Sequence, residues 1–104
     1  MQCKKLLTIA GIAASLMLLT APMAFAASGS SLFAKEGCMG CHTINGAGGS
    51  MGPDLSHVGS KKSESWLKKQ ITDPNSHFPG GSMPSSQMSG AHLKALSSYL
   101  ESLK

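Results

Sequence analysis

Two cysteines and one histidine stand within five consecutive residues, Cys38-Met39-Gly40-Cys41-His42, and this motif constrains the chain more than any other feature. The only other cysteine is Cys3, which lies in a segment that we expect to be removed. A disulfide framework is therefore excluded for the rest of the chain. A group bound by the two thiols and the imidazole should help to explain how so short a chain folds.

The first 26 residues have the pattern of a secretory signal peptide. Lys4 and Lys5 provide a positive start, residues 6–19 are mostly apolar, and residues 24–26, Ala-Phe-Ala, form a small-x-small cleavage site. An uncleaved membrane anchor is the alternative, because residues 6–27 carry no charge and a membrane span needs about 20 residues. Pro22 and the cleavage site favour removal of the segment.

We therefore predict a signal peptide over residues 1–26 and one domain over residues 27–104. The mature protein should be periplasmic or otherwise extracytoplasmic, with no membrane attachment after cleavage. Removing the signal peptide leaves seven lysines and five carboxylates, so the net charge falls from +4 to +2. This small charge disfavours nucleic-acid binding, which needs a basic patch with interleaved aromatic residues.

The predicted mature chain is poor in apolar residues, with 25 among its 78 residues. In domains of this size, a hydrophobic core alone rarely supplies more than about 3–5 kcal/mol of stability. We therefore expect a bound group to complete the core.

Three helices are predicted from capping serines and from helix-breaking residues. In chain order we place them from Ser30 or Ser31 to Gly37, from Ser63 to Asp73-Pro74, and from Ser89 to the last residues. Residues 45–52 and 74–90 are rich in glycine or proline and predict loops, and no segment shows the alternation of a strand. The chain should be an all-α domain in which long loops separate the helices.

The Cys38–His42 segment has the C-x-x-C-H pattern that is typical of c-type haem attachment. Two sulfurs three positions apart can reach the two vinyl groups on one haem edge, and His42 can then bind the iron from one face. A thiol–disulfide exchange site is the main alternative, but it needs a strand–helix unit that the sequence does not show. A structural zinc site needs about four ligands, and the other histidines lack the required pairing.

Several motifs around the haem motif resemble the small bacterial class I monohaem cytochromes c. They are listed in chain order: Leu32 to Ile44, Gly52-Pro53-Asp54-Leu55, Met83-Pro84, and the terminal helix with Leu96, Tyr99 and Leu100. The resemblance implies a small cytochrome c fold of three to four helices, wrapped around one haem c bound to Cys38 and Cys41. It also implies iron ligation by His42 and Met83, with the backbone carbonyl of Pro53 orienting His42.

The residues themselves leave the sixth iron ligand between Met83 and two other side chains. Met83 lies in a glycine-containing loop that can approach a haem closely, whereas Met88 precedes a helix and can pack against it. His77 lies in the same loop as Met83 and is an imidazole competitor. Met39 lies between the two cysteines and cannot reach the far face of the haem.

Aromatic residues suggest how the helices pack. We expect Phe33 and Tyr99 to pack where the first and last helices cross, with Gly37 permitting their close approach. Trp66 is a possible haem contact or propionate hydrogen-bond donor, and core packing of the middle helix is the alternative.

These features predict a soluble one-electron carrier that acts as a monomer and is not an enzyme. Its partners would be redox proteins, and because residues 37–53 and 74–93 carry no charge, we expect a neutral docking surface. The alternatives are an electron-entry subunit of a partner oxidoreductase and a haem sensor or peroxidase-like protein with a displaceable methionine. A C-x-x-C thiol–disulfide oxidoreductase is a further alternative.

Overall fold

A computed structural model of the chain describes residues 28–104, so the predicted signal peptide and its cleavage site lie outside the described residues. The helices and strands are listed here in chain order: α1 Gly29–Lys35, a 3-10 helix Cys38–Gly40, β1 Thr43–Ile44, β2 Ala47–Gly48, a 3-10 helix Val58–Ser60, α2 Glu64–Thr72, α3 Pro74–His77 and α4 Gly90–Glu101. Four α-helices joined by long loops confirm the predicted fold class. Within residues 28–104, no helix has the length and apolar character needed to cross a bilayer.

Helix α1 begins earlier than the sequence predicted. The backbone N–H of Ser31 donates to the hydroxyl of Ser28 at 3.2 Å, so Ser28 is the capping residue, and the prediction of Ser30 or Ser31 was wrong. All three candidate caps are serines, so residue type does not choose between them, and the first residue of the helix is Gly29.

Gly29 packs against helix α4. A Cβ placed on it would clash with the Cβ of Tyr99 and with the carbonyl oxygen of Ala95, whereas a Cβ on Gly37 would meet no atom within 4 Å. The expectation that Gly37 permits the close approach was therefore wrong. Gly37 instead takes a left-handed conformation, with φ of 83°, where the chain turns after α1. The predicted Phe33–Tyr99 contact is present, with ring centroids 6.5 Å apart.

Helix α2 follows the predicted signals closely. The Ser63 hydroxyl accepts a hydrogen bond from the Trp66 N–H at 3.2 Å and caps the helix. Its buried face carries Leu67 and Ile71, which join the core. The core is formed by six side chains from α1, α2 and α4: Leu32, Phe33, Leu67, Ile71, Leu96 and Leu100.

A short hairpin and the short helix α3 were not expected. Strands β1 and β2 form an antiparallel hairpin, which includes the first residues of the predicted loop. It forms because Asn45 (φ 50°) and Gly46 (φ 84°) make a tight turn of the type that favours strand pairing. Helix α3 begins at Pro74, a residue that stops α2 but suits the first position of a new helix.

Helix α4 begins after Ser89, as predicted, but the Ser89 side chain makes no capping hydrogen bond.

Candidate haem-binding site

The cysteine–histidine motif folds into a tight turn directly after α1. A 3-10 helix spans Cys38–Gly40, and the N–H of His42 donates to the carbonyl oxygen of Cys38 at 3.0 Å. This turn keeps both thiols and the imidazole on a short, hydrogen-bonded piece of backbone. Cys38 and Cys41 are half-buried, free cysteines.

The glycine-rich segment after the hairpin folds back onto the motif. The N–H of Gly49 donates to the carbonyl oxygen of Met39 at 2.8 Å, and the N–H of Gly52 donates to that of Cys41 at 2.7 Å. A Cβ on Gly49 would clash with the carbonyl oxygen of Gly40, so the two backbones lie in direct contact. The loop therefore supports the turn that carries the thiols.

The imidazole of His42 is fixed by the two residues that end this loop. Its Nδ1 lies 2.8 Å from the carbonyl oxygen of Pro53, and since that oxygen can only accept, Nδ1 is the donor. A Cβ on Gly52 would lie 2.6 Å from Cε1 of His42, so only glycine fits against this ring. With Nδ1 engaged, Nε2 is the nitrogen available to a metal.

A cavity of about 1180 Å³ adjoins the motif. It exceeds the ~300–1,000 Å³ that is usual for small-molecule sites. Its walls combine the motif, core side chains of α2 and α4, and the loop that follows α3. Lining residues that bear on the chemistry are Cys38, Cys41, His42, Met51, Pro53, His57, Trp66, Gln70, Met83 and Met88.

These walls fit a haem. Two thiols with C-x-x-C spacing and an imidazole with a free Nε2 lie on one wall, and Leu67, Ile71 and Leu96 supply apolar surface. A flat, largely apolar ring with one reactive edge matches this donor set. Such a group would also complete the small apolar core.

The side chains considered for the sixth ligand differ in where they lie. Met83 and Met88 both line the cavity, whereas His77 is absent from its lining as described for residues 28–104. His77 instead donates from Nδ1 to Oε1 of Gln70 at 2.9 Å, and its ring stacks on Trp66. Met83 lies beside the same glutamine, with Gln70 Nε2 3.4 Å from its sulfur.

Trp66 lies in both of the environments that the sequence allowed, next to the haem-binding cavity and against the core. It lines the cavity and also packs against the hydrophobic core. Its ring lies parallel to that of His77 at a centroid distance of 4.3 Å, and the ammonium of Lys62 lies 4.3 Å above it. These contacts hold the indole at the edge of the cavity.

The cavity also has charged neighbours. Lys61 and Lys62 line it together with Glu36 and Asp54, so its lining is less uniformly neutral than the charge-free loops suggested. Asp54 accepts from the N–H and hydroxyl of Ser56, and these hydrogen bonds lower the pKa of its carboxyl. It therefore stays ionised beside the proline that holds His42.

The surroundings of Cys38 disfavour thiol–disulfide exchange. Burial raises the pKa of its thiol, and the nearby Glu36 adds to this effect. Exchange catalysts need the opposite, a thiol whose pKa is lowered. In the described part of the chain, no three or more histidine, cysteine and acidic side chains are arranged to bind a metal ion.

Comparison with protein families decides the identity. The cytochrome c family model, "Cytochrome c", matches residues 26–104. The chain belongs to the cytochrome c family. The cofactor of this cytochrome is therefore a covalently bound c-type haem, as the motif predicted.

One curated relative is a cytochrome c oxidase subunit 2 from Alkalihalophilus pseudofirmus (strain ATCC BAA-2126 / JCM 17055 / OF4). It is 33% identical over 85 residues, which cover 73% of this chain and 25% of the relative. The cytochrome thus spans about a quarter of that protein's length. No solved structure matched the chain.

Sequence reasoning missed two residues of this site. Gly52 was noted only as part of the Gly52-Pro53-Asp54-Leu55 motif. It touches the His42 ring because the chain folds back on itself over the ten positions that separate the two residues. Gln70 was not considered, although it stands one helical turn after Trp66 on α2. That spacing was the one available signal, because residues four apart share a helix face.

Proposed function

We propose that this cytochrome is an exported one-electron carrier whose haem iron is ligated by His42 and Met83. The observation that carries the proposal is the shared cavity, which both side chains line. A bound haem supplies reversible one-electron chemistry at its iron. The protein residues would supply two ligands to the iron and would shield the ring from water, and none of them would have to react.

His42 is suited to a permanent ligand. The hydrogen bond to Pro53 and the contact with Gly52 fix the plane of its ring, so the ligand nitrogen hardly moves when the oxidation state changes. Met83 would supply the second protein ligand, and thioether ligation gives a higher potential than a second histidine. Small rearrangement on reduction suits a carrier better than an enzyme.

Spectroscopy of two matched variants tests the ligand. Oxidised His/Met cytochromes show a sulfur-to-iron charge-transfer band at the red edge of the visible spectrum. Met83→Leu should abolish this band, and Met88→Leu should retain it, because leucine keeps the volume of methionine and removes its sulfur. Retention of the band in Met83→Leu, with loss in Met88→Leu, would assign the ligand to Met88.

Carbon monoxide separates a carrier from a sensor or peroxidase-like protein. If both axial positions are filled, the reduced wild-type protein should not bind carbon monoxide at neutral pH, whereas Met83→Leu should bind it. Binding by the wild-type protein would favour a displaceable methionine.

An electron-entry domain of an oxidase is the second candidate function. It is supported by the match to a cytochrome c oxidase subunit 2, of which this chain would correspond to a quarter. In that case, the cytochrome would bind one enzyme tightly rather than exchange electrons with several partners. Copurification of an oxidase with the tagged protein from its native membranes would favour this candidate, and recovery in the periplasmic fraction alone would favour the free carrier.

A further inference from the structure

A series of side-chain contacts connects Trp66 to Met83, and the proposed function does not use it. The rings of Trp66 and His77 are parallel within 2° at a centroid distance of 4.3 Å. His77 Nδ1 lies 2.9 Å from Gln70 Oε1. The other end of the same amide, Gln70 Nε2, lies 3.4 Å from the sulfur of Met83.

The direction of these hydrogen bonds follows from the chemistry of the amide. Its oxygen can only accept, so Nδ1 of His77 must carry the hydrogen at this contact. The amide nitrogen then points to Met83, and its N–H can donate to the sulfur. With the amide reversed, its oxygen would face the sulfur lone pairs, and this contact would be repulsive. The tautomer of His77 thus decides which end of Gln70 faces Met83.

The histidine is well placed for this role because its own ring is fixed. Stacking on Trp66 sets its plane, and helix α3, closed by the hydrogen bond from Phe78 N–H to Pro74 oxygen at 2.9 Å, sets its backbone. The ring of Phe78 also meets the His77 ring edge-on, with centroids 6.4 Å apart. Rotation of the imidazole would therefore disrupt two aromatic contacts.

We propose that Gln70 is a positioning residue for Met83, and that His77 acts through Gln70 by setting the orientation of its amide. The inference rests on the proposed ligation of iron by Met83. A hydrogen bond donated to a thioether withdraws electron density from its sulfur, so the sulfur stabilises ferric iron less. The contact therefore favours the reduced state and raises the reduction potential.

Replacing the amide tests the proposal. Gln70→Leu removes the donor with little change in size and adds no new ligand for iron. We expect the equilibrium constant for reduction to fall about threefold, which is about 28 mV at ~59 mV per tenfold change for one electron. Thr72→Val is the matched control, because it removes from α2 a hydroxyl that, among residues 28–104, bonds only to the carbonyl oxygen of Lys68. Its potential should equal that of the wild type.

A double-mutant cycle tests the route from His77. His77→Phe keeps an aromatic ring on Trp66 but removes the Nδ1 donor, so the potential should fall in the same direction as in Gln70→Leu. In the Gln70→Leu background, His77→Phe should have no further effect, since the residue through which it acts is absent. Additive shifts, or a His77→Phe potential equal to that of the wild type, would overturn the role of His77.

Failure of this inference and failure of the ligand assignment give different results. A charge-transfer band that survives in Met83→Leu contradicts the ligation itself. Loss of that band, together with a Gln70→Leu potential equal to that of the wild type, leaves the ligation standing and overturns the positioning role. If Gln70→Leu does not fold with haem, the potential of His77→Phe alone decides, and an unchanged value overturns the proposal.

Discussion

His42 Nδ1 and the carbonyl oxygen of Pro53 are 2.8 Å apart, and Gly52, the residue directly before this proline, touches the imidazole. One short segment therefore supplies both the hydrogen-bond acceptor and the surface against which the ring lies. Each contact constrains the other, because a side chain at position 52 would push either the ring or the proline. The orientation of His42, the proposed iron ligand, is built into the backbone of this loop.

Gly52→Ala should damage this arrangement. The new Cβ would lie 2.6 Å from Cε1 of His42, so the ring or the loop must shift, and overpacking of this kind typically costs about 1–3 kcal/mol. Denaturant unfolding of the haem-loaded protein measures the loss. Gly40→Ala is the control, because its Cβ would meet no atom within 4 Å, and we expect a change below about 0.5 kcal/mol for such a site. Equal stability of both variants would show that the contact with His42 is unimportant.

The two cysteines should each form one thioether. Haem should remain on the denatured wild-type chain during a denaturing gel, and it should be lost from the double variant Cys38→Ala, Cys41→Ala. Each single variant should retain haem through the other sulfur, with the shifted absorption of a haem that keeps one free vinyl group. Met39→Ala lies between the cysteines and should retain the wild-type spectrum. Haem lost from either single variant would mean that only one sulfur is attached.

Part of this protein could be predicted from local sequence. The start of α2 follows from Ser63, and the positions of the thiols and of His42 follow from a five-residue motif. In both cases the deciding groups are neighbours in the chain. The Asn45-Gly46 turn also had a local signal, but the strands that it joins are two residues long and show no alternation.

The remaining features depend on residues that are far apart in the sequence. Gly29 is required by its contact with Tyr99, seventy positions later, and no pattern around Gly29 announces that partner. Gln70 similarly has its contacts with His77 and Met83 because helix α3 and the following loop return to α2. Propensity and spacing describe local structure, whereas these contacts are set by tertiary packing.

Acid should weaken the loop beside His42 through Asp54. Hydrogen bonds from the hydroxyl and then the N–H of Ser56 lower the pKa of this carboxyl in the folded state. A lowered pKa stabilises the fold above the unfolded-state pKa, near ~3.9, and this contribution disappears as the pH falls through the folded-state value. The stability difference between wild type and Asp54→Asn should therefore be constant from about pH 7 to 5 and shrink below about pH 4. A difference that is independent of pH down to acid unfolding would contradict this role of Asp54.

Docking should depend on apolar contact more than on charge. Within residues 28–104, the exposed large apolar side chains all fall in the two uncharged segments. Met39, Met51 and Phe78 are candidates for the docking surface, whereas Met83 is the proposed iron ligand.

Electron self-exchange between oxidised and reduced protein provides a probe that needs no known partner. Its rate should change less than about twofold as ionic strength rises from about 0.01 to 0.15 M, although the Debye length falls from ~30 to ~8 Å. Phe78→Ser should slow the exchange at every salt concentration, because its side chain is 56% exposed at the cavity. Lys94→Gln, on α4, is the control and should leave the rate unchanged. A several-fold salt effect, or a wild-type rate in Phe78→Ser, would indicate that charged residues such as Lys61 and Lys62 guide the encounter.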